Sequence, residues 1–227
     1  MGALEDVLRD RLRIPNAIIF RRSTARRTIQ YQVTDSGSKL PSEVALQFIQ
    51  QLQLPMGKRG VIYVRTYATG QIISEALGCP FYMAKAEDKG RTLQEWLDGA
   101  GGWIVAIGAL GTGINIMGII CVIHVDRPYG FTSFAQQSGR GGRNGEISDS
   151  IIILGVAWTR GWRRKEVLSA YSVERIDEDA MTTFIQTKSC QREVLSGYFD
   201  KETSLVDCSS TNSVFYNWCK GSNKLKM

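Results

Sequence analysis

The sequence predicts an α/β layered domain with a mainly parallel sheet flanked by helices, followed by a small, mostly helical C-terminal subdomain. Short apolar runs of strand length alternate with segments of helical periodicity between residues 41 and 154, the pattern of βαβ units. After about residue 158 that alternation stops, and a basic, aromatic stretch leads into a region holding three of the five cysteines. Residues 1–157 are therefore expected to form one domain, and residues 158–227 an appended subdomain.

Taken in order, residues 1–15 read as a short helix, with Leu4, Val7, Leu8 and Leu12 on one face and Pro15 ending it. Ala17–Phe20 and Thr28–Val33 have strand character, separated by the basic stretch Arg21–Arg27. Asp35–Ser38 is a polar turn around Gly37, and Pro41 opens a helix with Val44, Ala45, Phe48, Ile49 and Leu52 at helical spacing. Strands are expected at Gly60–Val64, Pro80–Met83, Trp103–Ile107, Ile119–Val125 and Ser150–Leu154, and helices at Thr69–Leu77, Lys89–Leu97 and Phe131–Ser138.

Composition sets broad limits. The 227 residues suit one domain of ordinary size with an appendage, and 43% hydrophobic content is enough for a packed core. A net charge of +6 favours an anionic partner such as nucleic acid. There is no apolar run of ~18 residues and no charged-then-apolar start, so neither a membrane span nor a secretory signal is expected. Five cysteines do not suggest a disulfide framework, which favours a reducing, intracellular setting.

Chemistry concentrates in Gln136–Gly145 (QQSGRGGRNG). Arg140 and Arg143 stand three apart, which puts both guanidiniums on one side of a helix end or tight turn. The surrounding glycines let backbone approach a partner closely. Arginine's planar fork matches phosphate oxygens and stays charged at any working pH. The segment reads as a phosphate clamp, with an arginine finger for a γ-phosphate as its sharpest form. A solvated basic loop or a flexible RNA-binding tail is the alternative. The position between two apolar strands argues against a tail.

Trp103–Gly145 (WIVAIGALGTGINIMGIICVIHVDRPYGFTSFAQQSGRGGRNG) resembles motifs V and VI of the RecQ family of superfamily-two helicases. Gly60–Tyr63 (GVIY) resembles motif IV, and Tyr82–Ala86 with Trp96 and Gly99 resembles the stretch after it. Phe20–Val33 (FRRSTARRTIQYQV) is similar to the segment entering the second RecA-like lobe, and the likeness is greatest to the fungal, telomere-linked branch. The resemblance implies a RecA-like fold and a nuclear 3′–5′ DNA helicase lobe acting on single-stranded or forked DNA. It implies that ATP and Mg²⁺ are used together with a first RecA-like lobe, in cis or in trans. The arginine-finger role falls to Arg140 and Arg143, with Arg143 facing the γ-phosphate. Gln136 would link nucleotide state to lobe closure. Gly111, Gly113 and Asn115 would form the motif V turn, with Gly113 and Asn115 toward the nucleotide and Gly111 toward DNA.

The departures from the family pattern are specific. Asn115 replaces an Asp, Ile107 a Thr, Gln137 a Glu and Tyr67 an Arg. No G-x-x-x-x-G-K-[ST] occurs within these residues, nor a DEAH-like box; Gly57–Gly60 (GKRG) lacks the upstream glycine and the Mg²⁺-holding hydroxyl. The chain alone is therefore expected not to hydrolyse ATP. A non-catalytic or regulatory nucleic-acid-binding module remains a second reading, and an RNA helicase lobe a third, which the CQREVLSGYF segment disfavours.

Outside the motifs, Cys190–Phe199 (CQREVLSGYF) resembles the opening of the RecQ zinc subdomain, and Tyr216–Cys219 (YNWC) its closing cysteine pair with the first cysteine lost. Cys190, Cys208 and Cys219 would then give zinc three of the four ligands a structural site uses; buried small hydrophobes are the alternative. Cys79 and Cys121 read as core residues, and His124, two residues from Asp126, as a structural histidine. Arg21, Arg22 and Arg26, with Arg27, suit tracking of a DNA backbone, with a solvated basic loop as the alternative. Trp158 and Trp162 with Arg160, Arg163 and Arg164 suit single strands or packing between lobe and subdomain.

Overall fold

The fold is taken from a computed structural model, which describes residues 9–16, 18, 24, 26–108, 110, 113–159, 173–200, 207–209, 213–214 and 219. The element order is β1 (Ile29–Asp35), α1 (Pro41–Gln51), β2 (Arg59–Val64), α2 (Tyr67–Leu77), β3 (Phe81–Met83), α3 (Lys89–Asp98), β4 (Gly102–Ile107), β5 (Ile119–Val125), α4 (Phe131–Ser138), β6 (Ser148–Leu154), α5 (Val156–Thr159), α6 (Val173–Gln186) and α7 (Gln191–Phe199). The expected strand at Ala17–Phe20 and the first half of the expected N-terminal helix lie outside the described residues; residues 9–12 are helical.

The elements expected between residues 28 and 154 are all present, with ends that differ by one or two residues for local reasons. The second helix starts at Tyr67 rather than Thr69 because Thr66 caps it, its hydroxyl accepting from Thr69 N at 3.2 Å. The last strand starts at Ser148 rather than Ser150 because Ser148 pairs with Ile29. Serines in a buried strand look like a turn to a hydropathy reading. Here the Ser150 hydroxyl is satisfied by Ser138, at 2.7 Å.

All six strands run parallel in the order β1-β6-β5-β2-β4-β3. Central strands are buried almost end to end, as Val61–Val64 show, which explains apolar runs without alternation. One face is covered by α1 and α2, whose Ala45, Ile49 and Ile73 pack on Ile62, Val105, Ile123 and Ile151. The other face carries two clusters. Leu93 and Trp96 of α3 pack with Val61, Ile104 and Val122. Phe131 and Phe134 of α4 pack with Tyr31, Ile152, Met181, Phe184, Leu195, Cys190 and Cys208. The C-terminal helices α6 and α7 thus share a core with the sheet.

Candidate functional site

Helix α4 buries Phe131, Phe134 and Ser138 and leaves Gln136 exposed. That inward face anchors the loop carrying Arg140 and Arg143. Past the helix the chain turns back toward the sheet: Gly142 N donates to Ile119 O, the first residue of β5, at 3.0 Å. Gly142 has φ +64°, and a Cβ there would meet Glu146 O at 2.7 Å and Thr28 Oγ1 at 2.8 Å. A side chain at Gly141 would strike Ser148 Oγ at 2.1 Å. Space therefore excludes a side chain at both positions, and at Gly142 the left-handed backbone angle does so as well.

Between the two apolar clusters the sheet face is polar. Tyr63 and His124 stack with ring centroids 5.3 Å apart, and His124 Nε2 meets Gln137 Oε1 at 3.1 Å. Burial pushes the His124 pKa down to about 4, so the ring is neutral. Its partner is Gln137 and not Asp126, so no His–Asp dyad forms. Burial raises the Tyr63 pKa to about 12, opposed by the Arg140 guanidinium beside its hydroxyl. Arg143 donates to Asn115 Oδ1 at 2.5 Å and to Ile114 O at 3.5 Å. The loop carrying Arg143 therefore touches the Ile114–Asn115 segment, with Gly113 beside it in an exposed turn at φ +86°. Desolvation, then Arg140 and Arg26, lower the Arg143 pKa. Among the described residues Arg143 has no carboxylate partner, and its buried Nε makes no hydrogen bond.

The C-terminal region props this loop, a role the sequence did not signal. Helix α4 begins at Gly130 without a side-chain cap of its own. Asp177 of α6 supplies one, accepting from Thr132 N at 2.8 Å and Thr132 Oγ1 at 2.6 Å. Arg127, buried just after β5, donates to Thr182 Oγ1 at 3.0 Å and Glu178 O at 2.8 Å. The Trp158 ring lies 5.3 Å from the Arg65 guanidinium and 5.6 Å from that of Arg127, so it packs against two arginines of the sheet domain. Lys58 of the GKRG segment pairs with Glu146, and Arg59 donates to Leu97 O at 2.7 Å, so both serve the structure.

The three C-terminal cysteines converge. The sulfurs of Cys190, Cys208 and Cys219 lie within 4.8 Å of one another, with Cys190 and Cys208 at 3.4 Å. The Cys208 thiol beside it lowers the Cys190 pKa, while Cys208 is pushed up by that same contact. Among the described residues no fourth ligand joins them. The donor set suits a thiophilic ion but falls one ligand short of a closed structural zinc site. Arg26 sits against the Arg140–Arg143 loop, its Nη1 donating to Gly141 O at 3.4 Å. Arg21, Arg22, Gly111, Arg160, Trp162, Arg163, Arg164 and Tyr216 lie outside the described residues.

The family profile of the helicase conserved C-terminal domain matches residues 43–145. A putative ATP-dependent DNA helicase Q1 of Caenorhabditis briggsae is 26% identical over 216 residues, covering 88% of this chain and 33% of that protein. The ATP-dependent DNA helicase RecQ of Haemophilus influenzae is 27% identical over 218 residues, covering 90% and 34%. The chain spans about a third of the length of these curated relatives. Among solved structures, the C-terminal domain of the DEAD-box protein Dbp5 superposes with a TM-score of 0.49 at 16% identity, covering 57% of this chain and 77% of that one. No helix among the described residues is long and apolar enough to cross a membrane. Residues 43–145 thus resemble a helicase conserved C-terminal domain, and the chain as a whole is similar to proteins named as ATP-dependent DNA helicases Q1 and RecQ.

Proposed function

We propose that this chain is the second motor lobe of a RecQ-like 3′–5′ ATP-dependent DNA helicase, offering Arg140 and Arg143 to the phosphates of ATP held by a first RecA-like lobe. One observation carries the reading. Arg143 lies within electrostatic reach of Arg26 and Arg140, and its partners among the described residues are the neutral acceptors Asn115 and Ile114. A polyphosphate entering there would relieve the mutual repulsion and form charge-assisted hydrogen bonds. When bound, ATP with Mg²⁺ supplies the transferable phosphoryl group, and the metal neutralises charge on its β and γ oxygens. Arg143, aimed by Asn115, stabilises charge developing on the γ-phosphoryl, and Arg140 supports it from beside the Tyr63 hydroxyl. Gln136 faces solvent on the same helix end, placed to sense the opposite lobe. The DNA partner, single-stranded or forked, and nuclear location follow the resemblance to RecQ enzymes. Arg21, Arg22 and Gly111 are proposed DNA contacts on that basis alone.

The test is reconstitution. The chain alone should show no ATP turnover, and mixing it with a separate Walker A-bearing RecQ first lobe should restore DNA-stimulated turnover. Arg143→Ala should abolish the gain, whereas restored turnover indifferent to Arg143 would exclude the assigned role. A second reading, a non-catalytic nucleic-acid-binding module, is favoured by the neutral Asn115 and Gln137 where the family carries acids. Failure to restore turnover with retained DNA binding would select it. Cys190, Cys208 and Cys219 would hold zinc with the fourth position taken by water or a more distant ligand. Metal analysis of the purified protein without stoichiometric zinc removes that assignment.

A further inference from the structure

We propose that Arg26 is the third guanidinium of the phosphate site, and that the buried Arg192 of α7 is the residue that positions it. This rests on the reading of Arg140 and Arg143 as a polyphosphate site. Arg26 precedes β1 in an irregular stretch that would not by itself hold a side chain in place. Two contacts press that stretch against the arginine loop. Arg26 Nη1 donates to Gly141 O and Thr28 Oγ1 to Gly142 O, each at 3.4 Å. Both acceptors belong to the loop that carries Arg140 and Arg143.

The backbone of the stretch is gripped from behind. Arg192 is 0% exposed. Its Nη1 donates to Arg26 O, and its Nη2 donates to Arg27 O at 3.2 Å and to Ile29 O at 2.9 Å. A guanidinium withdrawn from water is costly unless its donors are satisfied in good geometry. Here three backbone carbonyls, those of Arg26, Arg27 and Ile29, meet a rigid fork, an arrangement a lysine's single ammonium cannot reproduce. The grip fixes where the Arg26 backbone lies and hence which way its side chain leaves. Arg192 is also two residues from Cys190, so the cysteine-bearing helix and the phosphate site are joined through one side chain.

Binding of sodium tripolyphosphate to the full 227-residue chain, followed by calorimetry at low salt, tests the assignment. Arg143→Gln and Arg26→Gln should each weaken binding by roughly three- to tenfold, as loss of one charge-assisted contact does. Arg192→Lys should weaken it similarly, and the Arg26→Gln/Arg192→Lys double variant should bind no worse than Arg26→Gln alone. A purely structural Arg192 would instead add its own loss to the double variant, which overturns the positioning role. Circular dichroism checks that each variant is folded. Should Arg192→Lys not fold, the wild-type guanidinium resonances decide: those of Arg192 must shift with tripolyphosphate in step with those of Arg26, and unmoved Arg192 resonances overturn the role. Binding weakened by Arg143→Gln but untouched by Arg26→Gln defeats this proposal while leaving the phosphate site standing. No binding by the wild-type chain defeats the phosphate site itself, and this proposal with it.

Discussion

Replacing Asp177 by Ala should loosen the arginine loop from 37 residues away in sequence from Arg140. Asp177 Oδ1 accepts from Thr132 N at 2.8 Å, Thr132 Oγ1 at 2.6 Å and Tyr198 Oη at 3.0 Å. Losing a helix cap costs about 1 kcal/mol. Removing a negative charge from a helix N-terminus costs about 0.5 kcal/mol more, and the Tyr198 hydroxyl loses an acceptor worth a similar amount, about 0.5 kcal/mol. The expected destabilisation is therefore about 2 kcal/mol, or roughly 4–8 °C in Tm for a chain of this size. Asp177→Asn keeps an acceptor but not the charge and should lose about half as much. Urea unfolding reads the global effect. Hydrogen exchange of the α4 amides reads the local one, which should be the larger if the cap is what holds the helix start. An Asp177→Ala midpoint within about 0.3 kcal/mol of wild type, with α4 exchange unchanged, would refute the capping argument.

Three other outcomes follow from the same geometry. His124 has a folded pKa near 4 against 6.5 unfolded, so the unfolded chain binds the extra proton between those values. Stability from this residue is complete above pH 6.5 and falls as pH drops toward 4, by about 3 kcal/mol at most; urea melts of His124→Gln should lack that component, and an identical pH profile would contradict it. Phe184→Ala should cost about 3–5 kcal/mol and lower a single transition for lobe and C-terminal helices together, because Phe184 packs on Phe131, Phe134 and Tyr31; two separate transitions would show independent cores. Binding of the chain to single-stranded DNA should be weak, independent of sequence and sharply reduced between low and physiological salt, since phosphate contacts release counterions; an affinity indifferent to salt would argue against it.

Much of the lobe was legible because parallel strands buried on both faces leave apolar runs such as Val61–Val64, with helical periodicity between them. The arginine loop was legible for a different reason: steric need forces glycine at 141 and 142, which makes the segment stand out between two apolar strands. What escaped the sequence depends on distant pairing. Nothing near Thr132 announces that its cap is Asp177. Met181, Phe184 and Leu195 show apolar faces, but periodicity cannot say that their partner is the sheet of the preceding domain. Arg26 looked like one basic residue among several, and only the Arg192 grip places it beside Gly141. The zinc resemblance named the three cysteines, and the fold brings their sulfurs together. His124 was read as a structural histidine, and its buried ring pairs with Gln137, a partner that residue spacing could not name.

The account turns on whether the Arg140–Arg143 loop reaches a γ-phosphate held by another lobe. A photoreactive ATP analogue carrying an aryl azide on its γ-phosphate, bound to a separate Walker A-bearing RecQ lobe mixed with this chain, reads that directly. The account predicts DNA-dependent labelling of the peptide spanning residues 136–145, reduced by Arg143→Ala. Labelling confined to the first lobe, or landing on this chain away from that loop, would contradict it.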